Sequence, residues 1–86
     1  KAVVRVYPNP FSSEIWVDYS TPRFSTLVVE VFNALGQKIL EQRADTQPFT
    51  PQTLHLDQVA HWARGVYFIT VRDGTKKHTL RFVKGK

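Results

Sequence analysis

Eighty-six residues suffice for one domain, and a chain this short buries only about 60–65% of its unfolded surface, which leaves little material for a catalytic cleft. Its 42% hydrophobic and 13% aromatic content is that of a folded protein, and the absence of cysteine excludes a disulfide-stapled scaffold and any thiolate metal site. Twelve Lys and Arg against seven Asp and Glu give a net charge of +5, much of it gathered where Arg72, Lys76, Lys77, Arg81, Lys84 and Lys86 face Asp73 alone.

Alternation of apolar and polar residues with period two dominates the chain and predicts strands. The first covers residues 2–7 (AVVRVY). The second, residues 14–20 (EIWVDYS), sets Ile15, Val17 and Tyr19 against Trp16 and Asp18. The third, residues 26–33, places Leu27, Val29 and Val31 on one face and a mixed set, Val28, Glu30 and Phe32, on the other. A short hairpin turn around Gly36, which is free to take a positive φ, leads to a fourth strand at residues 37–43. Residues 44–53 (ADTQPFTPQT) are polar and carry Pro48 and Pro51, so they read as a loop or an irregular edge.

A fifth strand at residues 53–57 points Leu54 and Leu56 inward. The alternation then breaks in DQVAHWARG. There Asp57 can cap a single helical turn, Val59 and Trp62 share a face, and Gly65 ends the turn. Residues 66–72 and 77–83 form a last hairpin across DGTK. Seven short strands with one helical turn, punctuated by turn signals, predict an all-β fold: a seven-stranded antiparallel Ig-like β-sandwich forming a single domain over residues 1–86.

The stretch YPNPF at residues 7–11 stiffens the passage from the first strand to the second. Pro8 and Pro10 lack the amide hydrogen that a ladder needs, and Asn9 is held extended by the proline after it. The Asn9 side chain can bond nearby backbone in an Asx turn, and Tyr7 and Phe11 can pack on either side of the corner.

Reaction machinery is not legible. His55, His61 and His78 have no metal-ligand spacing, so no metal site is expected. Ser12, Ser13, Ser20 and Ser25 fall in turns and outside any nucleophile elbow. Glu14 and Asp18 share a face but stand about 13 Å apart along a strand, too far to act jointly. Gly36, Gly65, Gly74 and Gly85 are isolated and make no phosphate loop. No catalytic residue and no cofactor are therefore expected. No apolar run approaches the roughly 20 residues of a membrane helix. With no signal-peptide pattern and a strand starting almost at Lys1, the chain is expected to be a module of something longer.

Two surface features invite a partner. Trp16 points outward by parity, as a surface platform or beneath the Pro48–Pro51 loop. The basic stretch suits nucleic acid, anionic glycolipid or an acidic partner, or simply protects a strand edge. Nucleic acid is disfavoured, because the basic residues are separated from most of the aromatics.

Three segments in order, YPNPF, VVEVFNALGQKI (residues 28–39) and ARGVYFITVRDGTKKHTLRFVKGK (residues 63–86), together resemble the type A C-terminal sorting domain of the type IX secretion system. The resemblance spans essentially the whole chain. It implies an Ig-like sandwich fused behind a cargo protein, folded in the periplasm of a Gram-negative bacterium. It further implies recognition by the outer-membrane translocon and its shuttle protein, and removal by a surface sortase that cuts in the linker before Tyr7. The cargo then ends at the cell surface or is secreted. The family's motif positions fall on Pro8, Asn9 and Pro10, on Gly36, on Gly65 and Tyr67, and on the closing strand with Lys77, Arg81 and Lys84. The sequence departs at WARG, where the family has Leu-Pro-x-Gly, at Gln37 in a basic slot, and at Arg81 in place of Lys; shape and charge are kept. On physical grounds such a signal could add its last strand to a partner's sheet edge, steered by Lys76, Lys77, Arg81, Lys84 and Lys86. The alternative is a non-catalytic Ig- or fibronectin-like module that binds carbohydrate or protein, with Trp16 as its platform.

Overall fold

The computed structural model describes residues 3–74 and 76–85. Ala2, Thr75 and Lys86, expected in the first strand, the last hairpin turn and the basic end, lie outside the described residues. The alternating segments form β1 (Val3–Tyr7), β2 (Ile15–Ser20), β3 (Ser25–Phe32), β4 (Lys38–Thr46), β5 (Gln52–Leu56), β6 (Gly65–Asp73) and β7 (Lys76–Lys84). They lie in two sheets, β1-β2-β5 and β4-β3-β6-β7, and every ladder is antiparallel. The expected all-β, two-layer architecture is therefore present.

The core lies between the layers, where the alternation predicted it. Ile15, Val17 and Tyr19 of β2 meet Leu27, Val29 and Val31 of β3 and Ile69 and Val71 of β6, all of them buried. Each such aliphatic side chain contributes about 1.5–3 kcal/mol relative to exposure. Leu56 is buried as expected, and Leu54 packs against the core from its margin.

The mixed face of β3 is also covered. Val28 and Glu30 are buried there, and Glu30 accepts from Arg72 at 3.2 Å and from Lys38 at 3.5 Å. Arg72 of β6 and Lys38 of β4 thus reach the same carboxylate from the two strands that flank β3.

Ser20 and Ser25, expected in turns, end β2 and begin β3, and two further expectations change. β4 continues through Thr46, although Ala44–Thr46 read as loop. Ser25 pairs with Thr46, and the buried Thr46 hydroxyl sits 3.1 Å and 3.2 Å from the carbonyls of Arg23 and Ser25. Cross-strand pairing thus overrides a polar composition, and only the short turn carrying Pro48 is irregular, tied by an isolated bridge to Thr21.

The expected helical turn is a turn without a helix. The Trp62 amide reaches the Val59 carbonyl at 3.1 Å, and no helix occurs among the described residues. Val59 and Trp62 do both pack on the core. Trp62 then joins an aromatic cluster and the Ala63 carbonyl is taken by the Tyr67 hydroxyl at 2.5 Å, so the chain leaves the helical path.

Candidate recognition surface

The strand directions gather one set of connections at one end of the sandwich: β1 to β2, β3 to β4, β5 to β6, and the exit of β7. The motif segments of the sequence meet there.

YPNPF is not a local turn. Both X-Pro bonds, Tyr7–Pro8 and Asn9–Pro10, are cis. Asn9 bonds to β7 and not to its own neighbours: its Nδ2 donates to the Arg81 carbonyl at 3.3 Å, and its Oδ1 accepts from the Val83 amide at 3.1 Å. The side-chain amide thereby copies a peptide group of a neighbouring strand. Phe11 continues the pairing. Its amide donates to the Val83 carbonyl at 2.9 Å, and its carbonyl accepts from the Gly85 amide at 2.7 Å. Two prolines without amide hydrogens flank the residue whose side chain does the pairing. The Phe11 ring is buried against Trp62, Tyr67 and Phe82, with centroids 6.2, 5.9 and 5.9 Å away. Tyr7 stays half-buried on the outer face of its sheet, where its hydroxyl donates to Asp18 at 3.1 Å.

The β3–β4 turn sits beside this corner. Asn33 organises it: its Oδ1 accepts from the amides of Leu35 and Gln37, both at 3.0 Å, while Gly36 takes φ +83°. Leu35 is left at the tip, 84% exposed. Across from it the chain enters β6 at Gly65, with φ +142°, and runs to Tyr67. Leu35, Ala63, Arg64, Gly65 and Tyr67 line a shallow depression of about 260 Å³.

Folding thus unites Pro8, Asn9 and Pro10 with Arg81 and Lys84, and Gly65 and Tyr67 with the turn of Gly36. The basic residues divide. Lys77 and Arg81 are exposed, Lys77 nearer the opposite end beside Arg72. Lys84 is buried, its Nζ 6.0 Å from the centre of the Phe11 ring, so it belongs to the packing of this end rather than to its outer charge.

Trp16 lies apart, on the outer face of the three-stranded sheet. It is neither open nor roofed by the Pro48–Pro51 segment. The imidazole of His55 stacks on it at 3.8 Å and 7°, and Glu14 holds that imidazole at 2.7 Å. On the same face Asp18 collects Arg5 at 3.1 Å and Thr53 at 2.9 Å, and the hydrogen bond from Thr53 above all holds its carboxyl below the usual range.

A further cluster escaped sequence reasoning. At the opposite end the buried Asp73 accepts from the hydroxyls of Tyr19 and Thr21 and from Arg23 at 3.0 Å. Burial alone would raise the Asp73 carboxyl, but hydrogen bonding from Ser25 and Tyr19 and the charge of Arg23 outweigh it and hold the group low. Burial, and then the bond to Asp73, push the Tyr19 hydroxyl up to about 12. In the sequence Asp73 reads as the first residue of an Asp-Gly turn, which conceals its inward role.

A search of curated proteins returns no match. The family model described as secretion system C-terminal sorting domain matches residues 5–85, taking in every one of the motif segments gathered above. The chain accordingly belongs to the C-terminal sorting domains of type IX secretion, signals that direct a fused cargo through the secretion machinery to the cell surface or beyond.

Proposed function

We propose that this domain is read as a folded object, through the end of the sandwich built by Asn9, Gly36, Gly65, Tyr67 and the last strand. One observation carries the reading. Asn9 bonds residues 72 and 74 positions away, so the motif residues form one surface only after folding. A receptor that needed only a linear tag would not require them together. The strand order supports an Ig-like description, with the β2–β5 pair in one layer and β3-β6-β7 in the other. In this reading the domain folds in the periplasm of a Gram-negative cell and meets the shuttle protein and outer-membrane translocon. A sortase then cuts in the linker, which lies ahead of β1 because residues 3–7 are paired with β2, and the domain performs no reaction of its own. Nothing favours the carbohydrate-module alternative, since His55 already occupies a face of Trp16.

The test is export of a periplasmic reporter fused to residues 1–86 in a host that carries the system. The intact fusion is expected at the surface or in the medium, trimmed ahead of β1 by mass spectrometry. Fusions with Phe11→Ala, or lacking the last strand, are expected to stay inside. Equal export of a demonstrably unfolded Phe11→Ala fusion would show that the signal is linear and the proposal wrong.

A further inference from the structure

β7 is the outermost strand of its sheet, yet only half of its free edge is covered. The outward groups already paired belong to odd-numbered residues: the Arg81 carbonyl, the Val83 amide and the Val83 carbonyl. Alternation along an antiparallel ladder directs the amides and carbonyls of Lys77 and Thr79, and the amide of Arg81, the same way. These have no chain partner among the described residues. The edge therefore holds a short open template, bounded on one side by the corner at Asn9 and on the other by the hairpin after Asp73.

The side chains around that template define what fits it. Lys77, Thr79 and Arg81 share the outer face and are exposed. On the core-facing row Leu80, opposite the fully buried Ile69, is still 37% exposed, because no strand lies beyond it. An added strand would bring a residue beside each of these on the same face. We infer that the open half of β7 is a docking edge for a partner's extended strand with an acid–apolar–any–apolar–acid pattern. The acids lie beside Lys77 and Arg81, and the apolar residues cover Leu80 and the His78 position. The pattern reads alike in both directions.

Lysine on an edge also keeps copies of a chain apart, and here that effect selects the partner. A second copy paired antiparallel about Thr79 would set Lys77 against Arg81, which repel, whereas an acidic strand is attracted. The inference extends the sorting role by giving the chemistry of a contact in the secretion machinery, and it rests on that reading only for where the partner is found.

The purified chain, labelled with nitrogen-15, is titrated with the capped peptide Ser-Glu-Val-Thr-Val-Glu-Ser and with its Lys-for-Glu counterpart. Amide shifts are expected to centre on Lys77, Thr79 and Arg81 for the acidic peptide only, and to fade as salt shortens the reach of the charges. Thr79→Pro removes one outward amide at an edge position where proline is tolerated, and is expected to weaken binding about tenfold or more, the loss of an edge hydrogen bond and its neighbours. The pair Lys77→Glu with Arg81→Glu is expected to exchange the preference between the peptides, which a merely structural role would not do. Shifts centred elsewhere, or undiminished binding by a folded Thr79→Pro chain, would overturn the inference. So would a dimer in sedimentation that Thr79→Pro abolishes, because the occupant would then be a second copy. Peptide binding is scored on the isolated chain and export on the reporter fusion, so failure of one does not masquerade as failure of the other.

Discussion

Asn9→Ala probes the corner with little disturbance elsewhere. The side chain is exposed and makes two hydrogen bonds to β7, at 3.3 Å to the Arg81 carbonyl and at 3.1 Å from the Val83 amide. A net hydrogen bond contributes about 0.5–1.5 kcal/mol, and solvent competes at an exposed site, so the pair should contribute about 1–2 kcal/mol. The flanking pairing of Phe11 with Val83 and Gly85 is made by backbone and survives the substitution. The loss should therefore be local in hydrogen exchange and modest in global stability. By amide exchange the Val83 amide should open about 5–30-fold faster, the equivalent of 1–2 kcal/mol. Urea denaturation should show a fall in midpoint with an unchanged slope, as for a change of stability alone. An Asx turn, the sequence-level expectation, predicts something different: a loss of protection within residues 9–11 and none at Val83. Unchanged Val83 exchange, or an unaltered urea midpoint, would refute the long-range role assigned to Asn9.

Phe11→Ala removes a ring that is 1% exposed and touches Trp62, Tyr67 and Phe82. The expected cost of about 3–5 kcal/mol is comparable to the whole stability of a small domain, so thermal melting by circular dichroism should show a chain unfolded or nearly so near 37 °C. Tyr19→Phe probes the other end. The tyrosine hydroxyl titrates near 12 in the folded chain against 10 when unfolded, so its contribution is complete below pH 10 and is lost as pH rises through 12. That difference corresponds to about 2–3 kcal/mol, and the stability gap between wild type and Tyr19→Phe should narrow by that order over this window in denaturation series; a gap independent of pH would contradict the burial assigned to the hydroxyl.

What could be read from the sequence follows from which forces act locally. Period-two alternation located the seven strands and the core residues of β2 and β3, because inward parity is a property of neighbouring residues. The turn at Gly36 was legible for the same reason, since it needs a positive φ within a few residues. The extent of β4 was not, because Thr46 is in the sheet by virtue of its bonds to Arg23 and Ser25, which no local window contains. The role of Asn9 escaped for the same cause: an Asn between prolines is a good local turn former, and nothing nearby announces a strand over seventy residues away. The stack of His55 on Trp16 is likewise a matter of register, with the two residues directly opposite on β2 and β5. Lys84 looked like surface charge because lysine at a strand end usually is; its burial beside Phe11 required the corner to exist first.

The corner also explains how one small sandwich manages its outermost strand. An edge strand of nine residues exposes a row of backbone groups to any passing chain. Here Asn9 and Phe11 close the half near Lys84, while Lys77 and Arg81 charge the half that stays open. The closure joins the first connection of the domain to its last strand, so it cannot form before β7 has been made. Non-local pairings of this kind are late and slow compared with hairpins, because the intervening loop must close before the contact repays it. If the folded end is what the machinery reads, as proposed above, a signal assembled from such contacts would be silent in an incomplete or unfolded chain and present in a finished one. For a label that commits its cargo to export, that ordering would then supply a check on completeness from the physics of the fold alone.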